Sequence, residues 1–111
     1  MVRTSTMLAV LRRMAEAEAA GLHEDAEIVC SGLDCWIGLA RTNHAVVRAL
    51  LLHVVVSDVS DEAGMRRYAL NGTGKAAVRR PEILPEIVAA LAAGTAFTVR
   101  DDRIIPVDNP G

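Results

Sequence analysis

The chain has 111 residues, 51% of them apolar, with only one Trp, one Tyr and one Phe, and a formal net charge of −2. That is enough for one modest core of Leu, Val, Ile and Ala, and it excludes two independent domains and wholesale disorder. The charge is unevenly laid. Residues 1–40 hold three basic and six acidic side chains (−3), residues 41–80 seven and three (+4), and residues 81–111 two and five (−3). A weakly acidic whole is therefore compatible with a local anion-attracting face built from Arg41, Arg48, Arg66, Arg67, Lys75, Arg79 and Arg80.

The first stretch, "TSTMLAVLRRMAEAEAAG", opens on hydroxyl residues able to cap a helix and spaces Met7, Leu8, Leu11 and Met14 helically before Gly21. A helix over residues 5–20 is expected. The N-terminal "MVRTSTMLAVLRR" lacks the long apolar core and small-residue cleavage site of a secretory signal. The longest nearly apolar run, residues 49–56, is interrupted by His53 and falls far short of the ~20 residues needed to cross a bilayer. A cytoplasmic address follows as the default.

"EIVCSGLDCWIGLA" is harder to read. Ser31 with Asp34 three residues on resembles a capping arrangement, so a short helix after an extended "EIV" is preferred to a hairpin of "AEIVCSG" with "DCWIG". Cys30 and Cys35 are not spaced as Cys-x-x-Cys, and His23, His44 and His53 offer no ligand-like spacing. The cysteines are read as buried reduced thiols, no metal or cofactor is expected, and Trp36 is assigned to the core or to a lid on the first helix.

"TNHAVVRALLLH" places Val46, Ala49, Leu50 and His53 on one stripe, giving a helix over residues 43–53 capped by Thr42 or Asn43. His53 on that stripe reads as a hydrogen-bonded structural histidine. Two short antiparallel strands follow around the polar turn "SDEAG", with Met65, Arg67 and Ala69 on one side and Arg66, Tyr68 and Leu70 on the other. Asn71 then caps a helix of about two turns. "PEILPEIVAALAAG" gives another over residues 82–93, with Pro in its first turn, Ile83, Leu84, Ile87, Val88 and Leu91 as its apolar face, and Gly94 as its stop. "AFTVRDDRIIPV" reads as a terminal hairpin.

Gly72-Thr73-Gly74-Lys75 is not a phosphate loop. The position five before Gly74 is Ala69 rather than Gly, and the residue after Lys75 is Ala76 rather than Ser or Thr. No Ser/His/Asp or paired-carboxylate constellation is legible either, so no enzyme is expected.

The run Tyr68-x-Leu70-Asn71-x-x-Gly74-Lys75, with "NHAVVRALLLHVVVSD" upstream, resembles the wing and recognition helix of winged helix-turn-helix proteins, closest to bacterial regulators of the PadR and MarR type. The resemblance covers about residues 42–80; Asn71 stands where Thr is usual. It implies one α+β winged-helix domain over residues 1–111, with four to five helices and a two-stranded wing. The helix-turn-helix and wing would occupy about residues 30–80, and the C-terminal helix and hairpin residues 81–107. It further implies a transcriptional regulator that reads double-stranded DNA as a homodimer. Thr42, Asn43, His44 and Arg48 would face the major groove, while Arg66 or Arg67 (neighbours on a strand alternate faces, so only one points outward), with Arg41 and Lys75, would contact phosphate. The helix over 82–93, with the first helix, would supply the dimer surface, where any effector would also bind. Asp58, Asp61 and Glu62 depart from the pattern by making the wing acidic, which leaves a protein-interaction or dimerisation module without DNA binding as the alternative.

Overall fold

The computed structural model describes residues 2–61 and 64–107. The chain is α+β, with five helices and seven strands among these residues: α1 (Thr4–Ala19), α2 (His23–Ala26), β1 (Glu27–Ser31), β2 (Asp34–Ile37), β3 (Ala40–Thr42), α3 (His44–Leu52), β4 (Val56–Asp58), β5 (Arg66–Leu70), α4 (Gly72–Arg79), α5 (Ile83–Ala92), β6 (Phe97–Arg100) and β7 (Arg103–Pro106). Strands β1–β5 form one antiparallel sheet in the order β3-β2-β1-β5-β4, and β6 and β7 pair separately as a hairpin.

Helix α1 forms where its spacing demands. Met7, Leu11, Met14 and Ala17 recur every three or four residues and are all buried. The helix ends as Gly21 turns left-handed and Leu22 N–H donates to Ala17 O at 2.9 Å, a Schellman closure. The hydroxyl residues do not cap it. They lie within or beside its first turn, and Arg3 occupies the cap position without a side-chain hydrogen bond.

The largest correction concerns residues 32–40, expected as a short helix: "EIV" is extended as expected, but residues 27–42 make three strands, the first two being the hairpin weighed against that helix. The chain reverses twice, through the two-residue turns Gly32-Leu33 and Gly38-Leu39, each with its glycine at φ 60°. Glycine in the first position is what a type II′ hairpin turn requires. A side chain at Gly38 would also overlap the Asp25 carboxylate. Ile28 and Cys30 of β1 lie opposite Ile37 and Cys35 of β2, so apolar residues two apart meet on one face. Alternation over four or five residues thus prevails over the Ser31…Asp34 capping signal.

A second correction follows from the first. The β4–β5 hairpin forms as expected, but it is not a free two-stranded wing, because β5 pairs on its other side with β1 and sits inside the sheet. The expected facing of β5 holds: Leu70 is buried with Tyr68 half-buried on the core side, and Arg67 and Ala69 lie on the opposite face.

Helix α3 is capped by Asn43, whose Oδ1 accepts from Ala45 N–H at 2.8 Å. It buries Val46, Val47 and Leu50, so Val47, which lies off the expected stripe of Val46, Ala49, Leu50 and His53, is in the core as well. His53 Nδ1 lies 2.7 Å from Ala49 O and donates to it, a structural histidine. Asn71 caps α4 by accepting from Gly74 N–H at 2.9 Å, and its amide donates to Val54 O and Ser57 Oγ. Pro85 sits in the first turn of α5, which Gly94 terminates with Thr95 N–H donating to Ala90 O. The terminal hairpin turns at Asp101-Asp102, both at positive φ, as a type I′ turn requires.

The core lies between one face of the sheet and the helices. Ile28, Cys30, Cys35, Ile37, Val56 and Leu70 meet Met7, Leu11, Met14, Val46, Val47, Leu50, Ile83, Leu84 and Ile87 in one cluster. Ile83, Leu84 and Ile87, expected at a dimer surface, are thereby buried within the chain. The cysteines are buried as expected but are not free thiols: directly opposed across β1 and β2 with Cα atoms 4.1 Å apart, they are joined as a disulfide. No helix among the described residues is long and apolar enough to cross a membrane.

Candidate interaction surface

The seven cations of residues 41–80 come from β3, α3, β5, α4 and the end of α4. Six of them face carboxylates. Arg41 bonds Asp34 and lies over the Trp36 ring at 5.7 Å. Arg66 lies 3.6 Å from Asp58, Arg67 3.5 Å from Glu27 and 4.0 Å from Asp61, and Lys75 2.9 Å from Glu18. Arg79 makes a forked contact with Asp102 at 2.8–3.0 Å, and Arg80 lies 3.4 Å from Glu82. Among the described residues Arg48 alone of the seven has no ion pair; it stands exposed on α3. Each exposed pair is worth little to stability, but a cation beside a carboxylate presents a weaker field to a polyanion than an unpaired one.

The eight residues expected at DNA are spread over four elements, with Arg41, Thr42, Asn43 and His44 consecutive in the chain. Thr42 and Arg41 lie on the edge strand β3, Asn43 and His44 begin α3, Arg66 and Arg67 point to opposite faces of β5, and Lys75 lies toward α1. Asn43 already uses its side-chain oxygen for capping. Arg67 Nε is buried with no hydrogen-bond partner among the described residues.

Two carboxylates here are held below their usual range. The Asp58 carboxyl is lowered by hydrogen bonds from Ser60, side chain before backbone, with a further contribution from Arg66. The Asp102 carboxyl is lowered by its hydrogen bonds to Arg79, which in turn raise the guanidinium. A carboxyl lowered in the folded state contributes stability above its unfolded pKa of about 4, and that contribution is lost as pH falls through the folded value. Asp102→Asn is therefore expected to flatten the acid limb of a stability-versus-pH curve below about pH 4. Denaturant titrations at intervals from pH 6 downward measure this, and an unchanged acid limb would refute the assignment.

What the sequence did not single out is the second face of the sheet. Trp36, expected in the core or over α1, belongs to neither. In register it sits between Arg41 and Val29, with Arg67 beyond Val29, so Arg41–Trp36–Val29–Arg67 form a row across four adjacent strands. Trp36, Val29, Arg67 and Ala69 are half-buried and lie outside the core cluster. A cleft of about 330 Å³ opens on this face, lined by Glu24, Asp25, Glu27, Val29, Trp36, Gly38, Leu39 and Arg67. Leu39 and Leu33, the second residues of the two Gly-Leu turns, are 101% and 76% exposed. The signal that could have found this surface is the alternation Ile28, Cys30 against Val29, Ser31, which splits β1 into a core side and an open side once strand is chosen over helix. Comparison of the chain with protein-family models, with curated proteins and with solved structures gave no match.

Proposed function

We propose that this domain is a protein-interaction module that presents the open face of its five-stranded sheet to a partner and does not read DNA. One observation carries the reading: six of the seven cations in the basic middle are paired with carboxylates, while Trp36 and Val29 stay at the centre of a sheet face that the core does not use. Tryptophan at the middle of a surface, ringed by charged groups, has the composition of an interface centre with a polar rim.

The second reading keeps α3 as a DNA-reading helix of winged-helix type. It is favoured by Arg48, exposed and without an ion pair among the described residues, and by the order α3–β4–β5–α4, which retains the recognition-helix-then-hairpin part of that arrangement. The residues where a preceding helix would stand are β2 and β3.

Two assays separate the readings. In a gel shift against random duplex DNA, the expected result is no retardation at physiological salt up to about 10⁻⁴ M protein, the weak end of non-specific binding. Retardation that falls steeply with salt and is lost in Arg48→Ala would overturn the proposal in favour of the second reading. In parallel, proteins retained from a lysate by the immobilised domain are compared with those retained by Trp36→Ala. Loss of a retained protein in the variant is expected; identical sets would count against the open face.

A further inference from the structure

The lining of the open-face cleft goes beyond marking a contact surface; it restricts the chemistry of what fits. We infer that the cleft receives a long cationic side chain, arginine or lysine, from the partner, an inference that rests on the interaction-module reading above.

Three carboxylates line the cleft against one guanidinium. Glu27 is already opposed to Arg67 at 3.5 Å, which leaves Glu24 and Asp25 without an ion-pair partner among the described residues. Both belong to α2, which packs on β1 and β2 beside Trp36 and Val29. The rest of the lining is apolar or aromatic: Val29, Trp36 and the fully exposed Leu39.

An anionic ligand, a phosphate included, would meet uncompensated negative charge here. A purely apolar one would strand two carboxylates. A long basic side chain satisfies both halves, with its methylene stem along Leu39, Val29 and the indole and its charged head at Asp25 and Glu24. Arg41 already shows in this chain that the Trp36 ring accepts a guanidinium at 5.7 Å. The volume of about 330 Å³ suits one such side chain with part of its backbone rather than a folded element.

Trp36 is the only tryptophan in the chain, so its fluorescence reports on this cleft alone. The probe is a blocked tripeptide, acetyl-Gly-Arg-Gly-amide, compared with the same peptide carrying citrulline, which keeps the shape of arginine and removes its charge. The expected result is a saturable change in Trp36 emission with the arginine peptide at concentrations up to about 10 mM, with affinity about tenfold weaker for citrulline. The double variant Glu24→Gln/Asp25→Asn, which preserves side-chain shape, should weaken the arginine peptide about tenfold while leaving the melting temperature unchanged. No saturable response, equal responses to the two peptides, or an arginine response indifferent to the double variant would each overturn the inference. Failure here is distinguishable from failure of the broader reading. If the peptide is silent while Trp36→Ala still loses a retained protein, the face stands and the cationic occupant falls. If the peptide binds while Trp36→Ala retains every protein, the cleft stands and the interaction-module reading falls.

Discussion

Leu50→Ala is expected to cost the fold about 3 kcal/mol and to lower the melting temperature by roughly 10–20 °C. Leu50 is 0% exposed in the last turn of α3 and joins that helix to the sheet through the cluster containing Ile28, Ile37 and Val55. Removing its branched end leaves a cavity that rigid neighbours on both layers cannot close. Two further substitutions on the same helix give the number meaning. Leu52 is 71% exposed, so Leu52→Ala should fall within about 0.5 kcal/mol of the parent. Val47 is 2% exposed, and Val47→Ala should cost about 2 kcal/mol, two buried carbons plus their cavity. Urea denaturation of the three variants tests the rotation of α3 about its axis. A Val47→Ala cost no larger than that of Leu52→Ala would mean that the helix is turned differently, with Arg48 then pointing elsewhere.

That helix illustrates what a sequence carries and what it withholds. The existence of α3, its Asn43 cap and the burial of Val46 and Leu50 all follow from periodicity and capping chemistry, as do α1, α4, α5 and the terminal hairpin. Residues 27–42 resisted for a physical reason. Strands of three to five residues give too few alternations to outvote a chance capping pattern, and the turn glycines Gly32 and Gly38 show their meaning only through positive φ. Once those residues became strands, the β4–β5 pair gained a neighbour and ceased to be a free wing.

The charge pattern misled in a different way. Counting along the chain finds seven cations together, yet for three of the six that are paired the partner is brought by folding from a distant segment: Glu18 from α1 to Lys75, Glu27 from β1 to Arg67, Asp102 from the terminal hairpin to Arg79. A linear count registers the clustering of one sign and is blind to the compensation of the other. The open face was hidden by the same ambiguity that hid the strands, since Trp36 on a helix and Trp36 on a sheet have different neighbours. Its surroundings then invert the electrostatic expectation. The cleft beside this aromatic centre sets Glu24, Asp25 and Glu27 against Arg67, a balance that supports the cationic occupant proposed above.

The glycine pair of residues 72–74 offers the last and most selective test. Gly72→Ala and Gly74→Ala lie in the first turn of one helix, and propensity alone makes both favourable by up to about 1 kcal/mol. The surroundings separate them. A Cβ at Gly72 meets nothing within 4 Å, so that substitution should stabilise by about 0.5 kcal/mol. A Cβ at Gly74 would drive into the Val55 carbonyl oxygen and lie 2.8 Å from Leu70 Cδ2. The obstruction is backbone, held by the bonds of Asn71 to Val54 O and Gly74 N, so it cannot turn aside as a side chain would. The helix must back away from the sheet or the β4 entry must move, at an expected cost of about 2–4 kcal/mol. The measurement is the pair of urea midpoints, and the sign difference between the two alanines is the result. Equal effects would show that α4 does not approach Val55 this closely. Opposite signs would assign Gly74 to packing, a structural origin for a motif that at first sight invites a phosphate.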